Sequence, residues 1–242
     1  MRIYREYSLL GLSALNDFVV TPAHAALVVV DMQYGSTHPD YGFQRLYKSL
    51  GMEQEIEYFQ ERLRSTVVPN IQRLLEGFRA AKAEVVFLTV GSARADYGDF
   101  CSRRLARIRF WRDRGIEVPY ARVGTPDLEV ISELAPRPGE AVINKTTASA
   151  FNSSNFESYL RSKEIDALVV TGVGTNYCVE MTFRDASDKG FLCVLVEDAC
   201  ATSTPEMHAR AMDTMSFYGR VLPTEAVLRE IGQGTTTARS SR

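Results

Sequence analysis

Three ionisable residues far apart in the chain, Asp31, Lys145 and Cys178, are of the types that nucleophilic acyl chemistry needs. A thiol is a good nucleophile only as the thiolate, and a nearby cation or a helix N-terminus lowers its pKa from about 8.5. Lys145 could supply the cation. Asp31 could take the thiol proton and return it to a leaving nitrogen. Backbone N–H groups at Gly174 and Cys178 could meet the oxyanion that such a reaction develops. Each residue alone has an ordinary reading: Cys178 as a small core residue, Asp31 as a cap, Lys145 as a surface lysine. Their joint placement argues otherwise.

That placement comes from the strands. Ala25 to Val30 is an unbroken apolar run ending at Asp31, the pattern of a strand buried on both faces. Residues 84–90 (EVVFLTV), 141–145 (AVINK), 167–171 (ALVVT) and 191–197 (FLCVLVE) read as four more strands, and Lys145 closes the third. The turn GVGTN leads into a helix from about Tyr177 to Lys189, so Cys178 lies in its first turn, and Gly190 ends it. Helical spacing also covers about 53–83, with Pro69 as a break or a new first turn, and 154–163 and 206–218. Residues 34–50 read as loop and 91–123 as irregular. The alternation predicts an α/β fold: a doubly wound, mainly parallel sheet with helices on both faces. Ligands bind such sheets beyond the carboxyl ends of the strands, the edge to which all three residues are assigned. With no internal repeat and no linker, one domain is expected over 25–231. An arm over 1–24 precedes it, and a tail over 232–242 is expected to be unstructured.

Composition narrows the partners. Of 242 residues, 24% are charged and the net charge is −2, which gives no reason to expect nucleic acid or an anionic membrane. No apolar run approaches the roughly 20 residues of a membrane span. The leading stretch is interrupted by Gly11, Ser13, Asn16 and Asp17 and lacks a signal-peptide core, so a cytoplasmic location is expected. Cys101, Cys178, Cys193 and Cys200 show no disulfide or metal spacing and read as free thiols.

The segments VVVDMQ, INKTTASAF and TGVGTNYCVEMTFRDASDKGF resemble, in order, three signature segments of the isochorismatase-like cysteine hydrolases, over about Ala25 to Tyr218. The resemblance implies a three-layer α/β sandwich that is usually oligomeric. It implies Cys178 as nucleophile, Asp31 as general base and Lys145 as the cationic member of a triad. It also implies a cis peptide at Val173–Gly174 and an oxyanion hole formed by the N–H groups of Gly174 and Cys178. The expected function is hydrolysis of a small amide, carbamoyl or ureido C–N bond through a thioester.

Nicotinamidases of the family carry a metal site with histidines soon after the first segment. Here the histidines are His24, His38 and His208 with no Asp-x-His motif, so no metal or other cofactor is expected. Enzymes acting on isochorismate lack the nucleophilic cysteine, which leaves enol-ether hydrolysis as the runner-up and a non-catalytic binding protein as a third reading.

Tyr34, Phe43, Tyr97, Trp111 and Phe151 are candidate pocket walls. Six arginines between Arg103 and Arg114 suggest either a lid that recognises an aromatic or carboxylate-bearing substrate, or an exposed basic helix or oligomer contact. Arg184 is expected in a structural ion pair. Glu197 and Asp198 are read at the end of the fifth strand, orienting the Lys145 loop or solvated. The apolar arm (Tyr4, Tyr7, Leu9, Leu10, Leu12, Leu15) is suited to packing on a second copy in a homo-oligomer.

Overall fold

Every residue of β1 (Ala25–Val30) is buried, and its side chains divide between two cores. Leu27 and Val29 face one, and Ala26, Val28 and Val30 face the other, as an alternating strand requires. The computed structural model describes residues 16–237, so most of the N-terminal arm, including the apolar residues from Tyr4 to Leu15, lies outside it. β1 is central in a six-stranded sheet with β2 (Glu84–Val90), β3 (Ala141–Lys145), β4 (Ala167–Val173), β5 (Leu192–Ala201) and β6 (Arg220–Leu222). The order is β3-β2-β1-β4-β5-β6 and every pairing is parallel. The chain winds outward from β1 to β3, then returns to place β4 on the other side of β1. The strand order therefore reverses between β1 and β4, where open α/β sheets open a crevice at their carboxyl ends.

Helices α3 (Gln54–Arg62), α4 (Val68–Ala80) and α9 (Thr224–Thr237) cover one face through Phe59, Leu74, Phe78 and Val227. Helices α6 (Phe156–Ser162), α7 (Glu180–Asp188) and α8 (Pro205–Met215) cover the other through Phe156, Phe183 and Met215. This is the doubly wound three-layer arrangement that the strand–helix alternation predicts. Pro69 stands in the first turn of α4, where its missing N–H costs nothing. Among the described residues no helix is long and apolar enough to cross a membrane.

Several elements differ from the sequence reading. The stretch expected to be loop holds α1 (Tyr34–Thr37) and α2 (Gly42–Ser49). The start of α2 is fixed from afar, because the Gly42 N–H donates to Asp127 Oδ1 at 3.0 Å. The expected irregular region contains α5 (Ser102–Arg112), whose buried positions are Arg104, Ile108 and Trp111. That spacing is helical, but an arginine fills one of the three positions and hides the apolar period. β5 does not end at Glu197; it continues to Ala201 past a register shift opposite Val170/Gly172. Asp198 Oδ1 accepts from the N–H (2.8 Å) and hydroxyl (2.7 Å) of Thr224 at the start of α9, so Asp198 serves that helix and not the Lys145 loop. α9 itself runs to Thr237, beyond Gly232 where the tail was expected to begin.

β1 and β4 meet so closely that only glycine fits at one point. Gly172 has φ +109°, and a Cβ there would stand 2.1 Å from the carbonyl oxygen of Val30. The obstacle is backbone and cannot swing aside. Gly172→Ala is expected to cost about 3 kcal/mol or more through overlap and strain. The melting temperature, followed by circular dichroism, should fall by roughly 6–12 °C; an unchanged melting temperature would show that the two strands can part.

Candidate active site

The carboxyl edge of the sheet carries a fully buried charge pair. Asp31 follows β1 at φ +53°, a left-handed conformation uncommon outside glycine, while its N–H donates to Leu88 O at 2.8 Å. The turn sends its side chain along the edge, across the end of β2. Lys145, the last residue of β3, reaches back: its Nζ donates to Asp31 Oδ2 at 2.9 Å and to Thr147 O at 3.3 Å. The two side chains are 3% and 0% exposed. The other carboxylate oxygen, Asp31 Oδ1, is buried with no hydrogen-bond partner among the described residues.

Gln33, two residues on, clamps this turn. Its Oε1 accepts from Val90 N at 2.7 Å, and its Nε2 donates to Val90 O and Asp127 O, each at 3.1 Å. Gln33 was not singled out from the sequence, because a glutamine beside a strand end carries no signal until its partners are known.

Cys178 arrives from the other side of the switch point. After β4, the Val173–Gly174 peptide is cis, as the family resemblance implied. A wide helical turn, Thr175–Val179, then carries the cysteine, and α7 follows. Gly174 O accepts from Tyr177 N at 2.9 Å and from Val179 N at 3.4 Å. The cysteine side chain is partly buried against the α6–α8 core.

Its thiol is pushed up to about 12, first by burial and then by the Asp31 carboxylate, with Lys145 and Arg104 opposing. The expected lowering by Lys145 and a helix N-terminus does not prevail. The lysine charge is spent on Asp31, and the helix proper begins at Glu180, after the cysteine. At neutral pH the cysteine beside Asp31 therefore rests as a thiol.

A second layer holds the turn that carries Cys178. Buried Thr175 pairs its hydroxyl with His208 Nδ1 at 3.0 Å, and His208 Nε2 lies 3.0 Å from Arg62 Nη2. The guanidinium can only donate, so Nε2 accepts and Nδ1–H points at Thr175. Burial, and then the Arg62 charge, bring His208 down to about 4, which keeps it neutral and fixes that tautomer. Arg62 is itself tied to β5 through Cys200 O and Glu197 O, both at 2.9 Å.

The expected pocket residues separate into groups. Phe43, Tyr97 and Trp111 join Phe100 and Tyr120 in one aromatic cluster over the excursion between β2 and β3. Tyr34 stacks with His38 and Tyr41. Phe151 packs on Phe156 and Phe191 against the sheet face, so the structure does not bring it to the carboxyl edge. Arg184 pairs with Glu180 at 2.7 Å, the structural role expected of it.

A doubly wound, three-layer α/β sandwich with an aspartate, a lysine and a cysteine gathered near its switch point is the architecture of the isochorismatase-like proteins. The isochorismatase domain model matches residues 25–226, and the chain belongs to that family. It is 33% identical over 208 residues to a ureidoacrylate amidohydrolase RutB of Pseudomonas syringae pv. syringae (strain B728a), covering 83% of this chain and 80% of that protein. A cysteine hydrolase of known structure from Pseudomonas syringae pv. phaseolicola 1448A shares the fold, with TM-score 0.72 at 24% identity over 90% of this chain and 97% of that one. An N-carbamoylsarcosine amidase from Thermoplasma acidophilum superposes with TM-score 0.58 at 25% identity, covering 83% and 96%.

The neutral His208 gives a pH prediction. Its folded pKa lies near 4, below the ordinary 6.5, so the unfolded chain binds the extra proton first. The contribution to stability is whole above about pH 6.5 and is lost as pH falls toward 4. The melting temperature of wild type should drop more steeply across this window than that of His208→Gln; parallel curves would remove His208 from the support of the turn.

Proposed function

We propose that Cys178 is the nucleophile and Asp31 the proton carrier of an amidohydrolase that cleaves a small ureido or carbamoyl C–N bond. The chain is a hydrolase acting on non-peptide C–N bonds, as its amidohydrolase relatives indicate. The observation that carries the residue roles is the division of labour within Asp31. Lys145 holds Oδ2, while Oδ1 is buried, unpartnered, and part of a carboxylate close enough to raise the Cys178 thiol. An acceptor in that state suits a thiol proton.

In this mechanism the thiol gives its proton to Asp31 Oδ1 as sulfur attacks the carbonyl carbon. The N–H groups of Gly174 and Cys178 receive the developing oxyanion. Collapse expels ammonia, which takes the proton back from Asp31 and leaves an acylated Cys178, a thiocarbamate where the substrate is a urea. Asp31 then deprotonates water, whose attack frees the thiol. A ureido substrate gives a carbamic acid that decomposes to carbon dioxide and an amine. Lys145, bonded to Oδ2, holds the Asp31 carboxyl in place while Oδ1 takes and returns the proton.

The same reading places the enzyme in the cytoplasm, which suits four free thiols. It also takes the enzyme to be a homo-oligomer, to which exposed Tyr177, Met181 and Phe217 could contribute contact surface.

The test is ammonia release from a panel of ureido, carbamoyl and simple amide substrates. Cys178→Ala should lose at least about 10³-fold in kcat, and Asp31→Asn about 10²–10⁴-fold. Rapid quenching of wild type should trap an acyl adduct on Cys178 by mass spectrometry. Ammonia release that survives in Cys178→Ala would take the cysteine out of the chemistry.

A further inference from the structure

The excursion between β2 and β3 leaves the sheet at Ser92 and returns at Arg122, and these two residues pair with each other. Ser92 N donates to Ala121 O at 3.0 Å, and Val123 N donates to Ser92 O at 2.8 Å. Both anchors sit just past the carboxyl end of β2, so the excursion is fastened to the edge that carries Asp31 and Lys145. Within it α5 and the turn that follows bear six arginines, of which Arg103, Arg107, Arg109, Arg112 and Arg114 are exposed. Arg104 alone is buried, at 7% exposure.

Arg104 has a setting built for a flat cation. Its guanidinium lies 5.0 Å from the centroid of the Phe100 ring and 5.3 Å from that of Tyr120. Tyr97 braces this cage by donating its hydroxyl to Tyr120 O at 3.1 Å. Arg104 forms no ion pair among the described residues, and its Nη1 is buried without a hydrogen-bond partner. The aromatic rings supply cation–π attraction but no hydrogen-bond acceptor. A buried charge left in that state is costly and calls for a partner. The excursion that carries Arg104 is pinned at Ser92, two residues past β2 at the edge that holds Asp31 and Lys145. The Arg104 charge acts on the Cys178 thiol, so the partner it lacks belongs on that side of the molecule.

We propose that Arg104 anchors a carboxylate carried by the substrate, so that the enzyme takes ureido or carbamoyl acids in preference to neutral ureas. This deepens the amidohydrolase reading and rests on it. A guanidinium meets a carboxylate through two parallel N–H···O bonds, which fixes both the distance and the direction of the rest of the molecule. The mechanism above leaves Arg104 unused, and positioning the scissile carbonyl against Cys178 gives it a role.

The test compares kcat/KM for ureidoacrylate and for its methyl ester, which differ only in the charged group. Wild type should prefer the acid, and in Arg104→Gln the acid-to-ester ratio should fall about 10- to 100-fold. Arg104→Lys keeps the charge without the fork and should restore part of the ratio. An unchanged ratio in Arg104→Gln, or a wild type indifferent to the charge, would overturn the proposal. If wild type hydrolyses neither compound, the ureido reading fails by itself, and Arg104 is then judged by protection. Propionate, but not propionamide, should slow iodoacetamide labelling of Cys178 in wild type and lose that effect in Arg104→Gln. Equal protection by both compounds would overturn the carboxylate anchor. Should Arg104→Gln not fold, Arg104→Lys and the wild-type preferences still decide the question.

Discussion

The carboxyl edge is organised around a lysine and an aspartate that meet at 2.9 Å with almost no access to water. Withdrawing each ion from water costs several kcal/mol, and their mutual attraction compensates only when the geometry is held. Much of the surrounding backbone does that holding. β2 lies between the strands that carry the two residues, and its pairing sets Val30 against Leu88 and Val90 against Lys145. Gln33 ties the turn after β1 to the end of β2, and Gly91 N donates to Lys145 O at 3.1 Å. A sheet that slipped by one residue would point one of the partners into an apolar layer. The charge pair thus imposes a register on the sheet as much as the sheet positions the pair.

The same pair explains why the cysteine rests as a thiol. A lysine committed to a carboxylate presents little net field to a third group, so burial governs Cys178 and its proton stays on sulfur until a reaction draws it away. A resting thiol is also less prone to stray alkylation and oxidation than a free thiolate. On the far side of the turn that carries Cys178, the chain Thr175–His208–Arg62 reaches β5 with His208 held uncharged near neutral pH. In the proposed mechanism the proton traffic is concentrated in one carboxylate, and its neighbours are arranged to hold still.

Much of this was legible in the sequence, for identifiable reasons. Strands buried on both faces leave unbroken apolar runs, so β1 to β5 were readable, and the residues at their ends located Asp31, Lys145 and the approach to Cys178. What stayed hidden depended on partners distant in the chain. The start of α2 is set by Asp127, the turn after β1 by Gln33 and Val90, and the support of Thr175 by His208. β6, with three residues, is too short to leave a pattern. α5 was obscured because an arginine occupies a position that the helical period reserves for an apolar residue. The thiol shift runs upward because the depth at which the sulfur is buried, its largest cause, leaves no mark in the sequence, whereas the nearby cation does.

The excursion over residues 93–121 enters and leaves the sheet through neighbouring residues, Ser92 and Arg122, and carries its own aromatic core. A segment closed in this way can lengthen, shorten or change composition at small entropic cost, because its ends remain where they are. The three residues gathered at the carboxyl edge lie outside it in sequence: Asp31 before it, and Lys145 and Cys178 after. On the roles proposed for Arg104 and for the carboxyl edge, selection can therefore act on what the enzyme admits separately from how it breaks the bond. A lineage could exchange the one while inheriting the other intact.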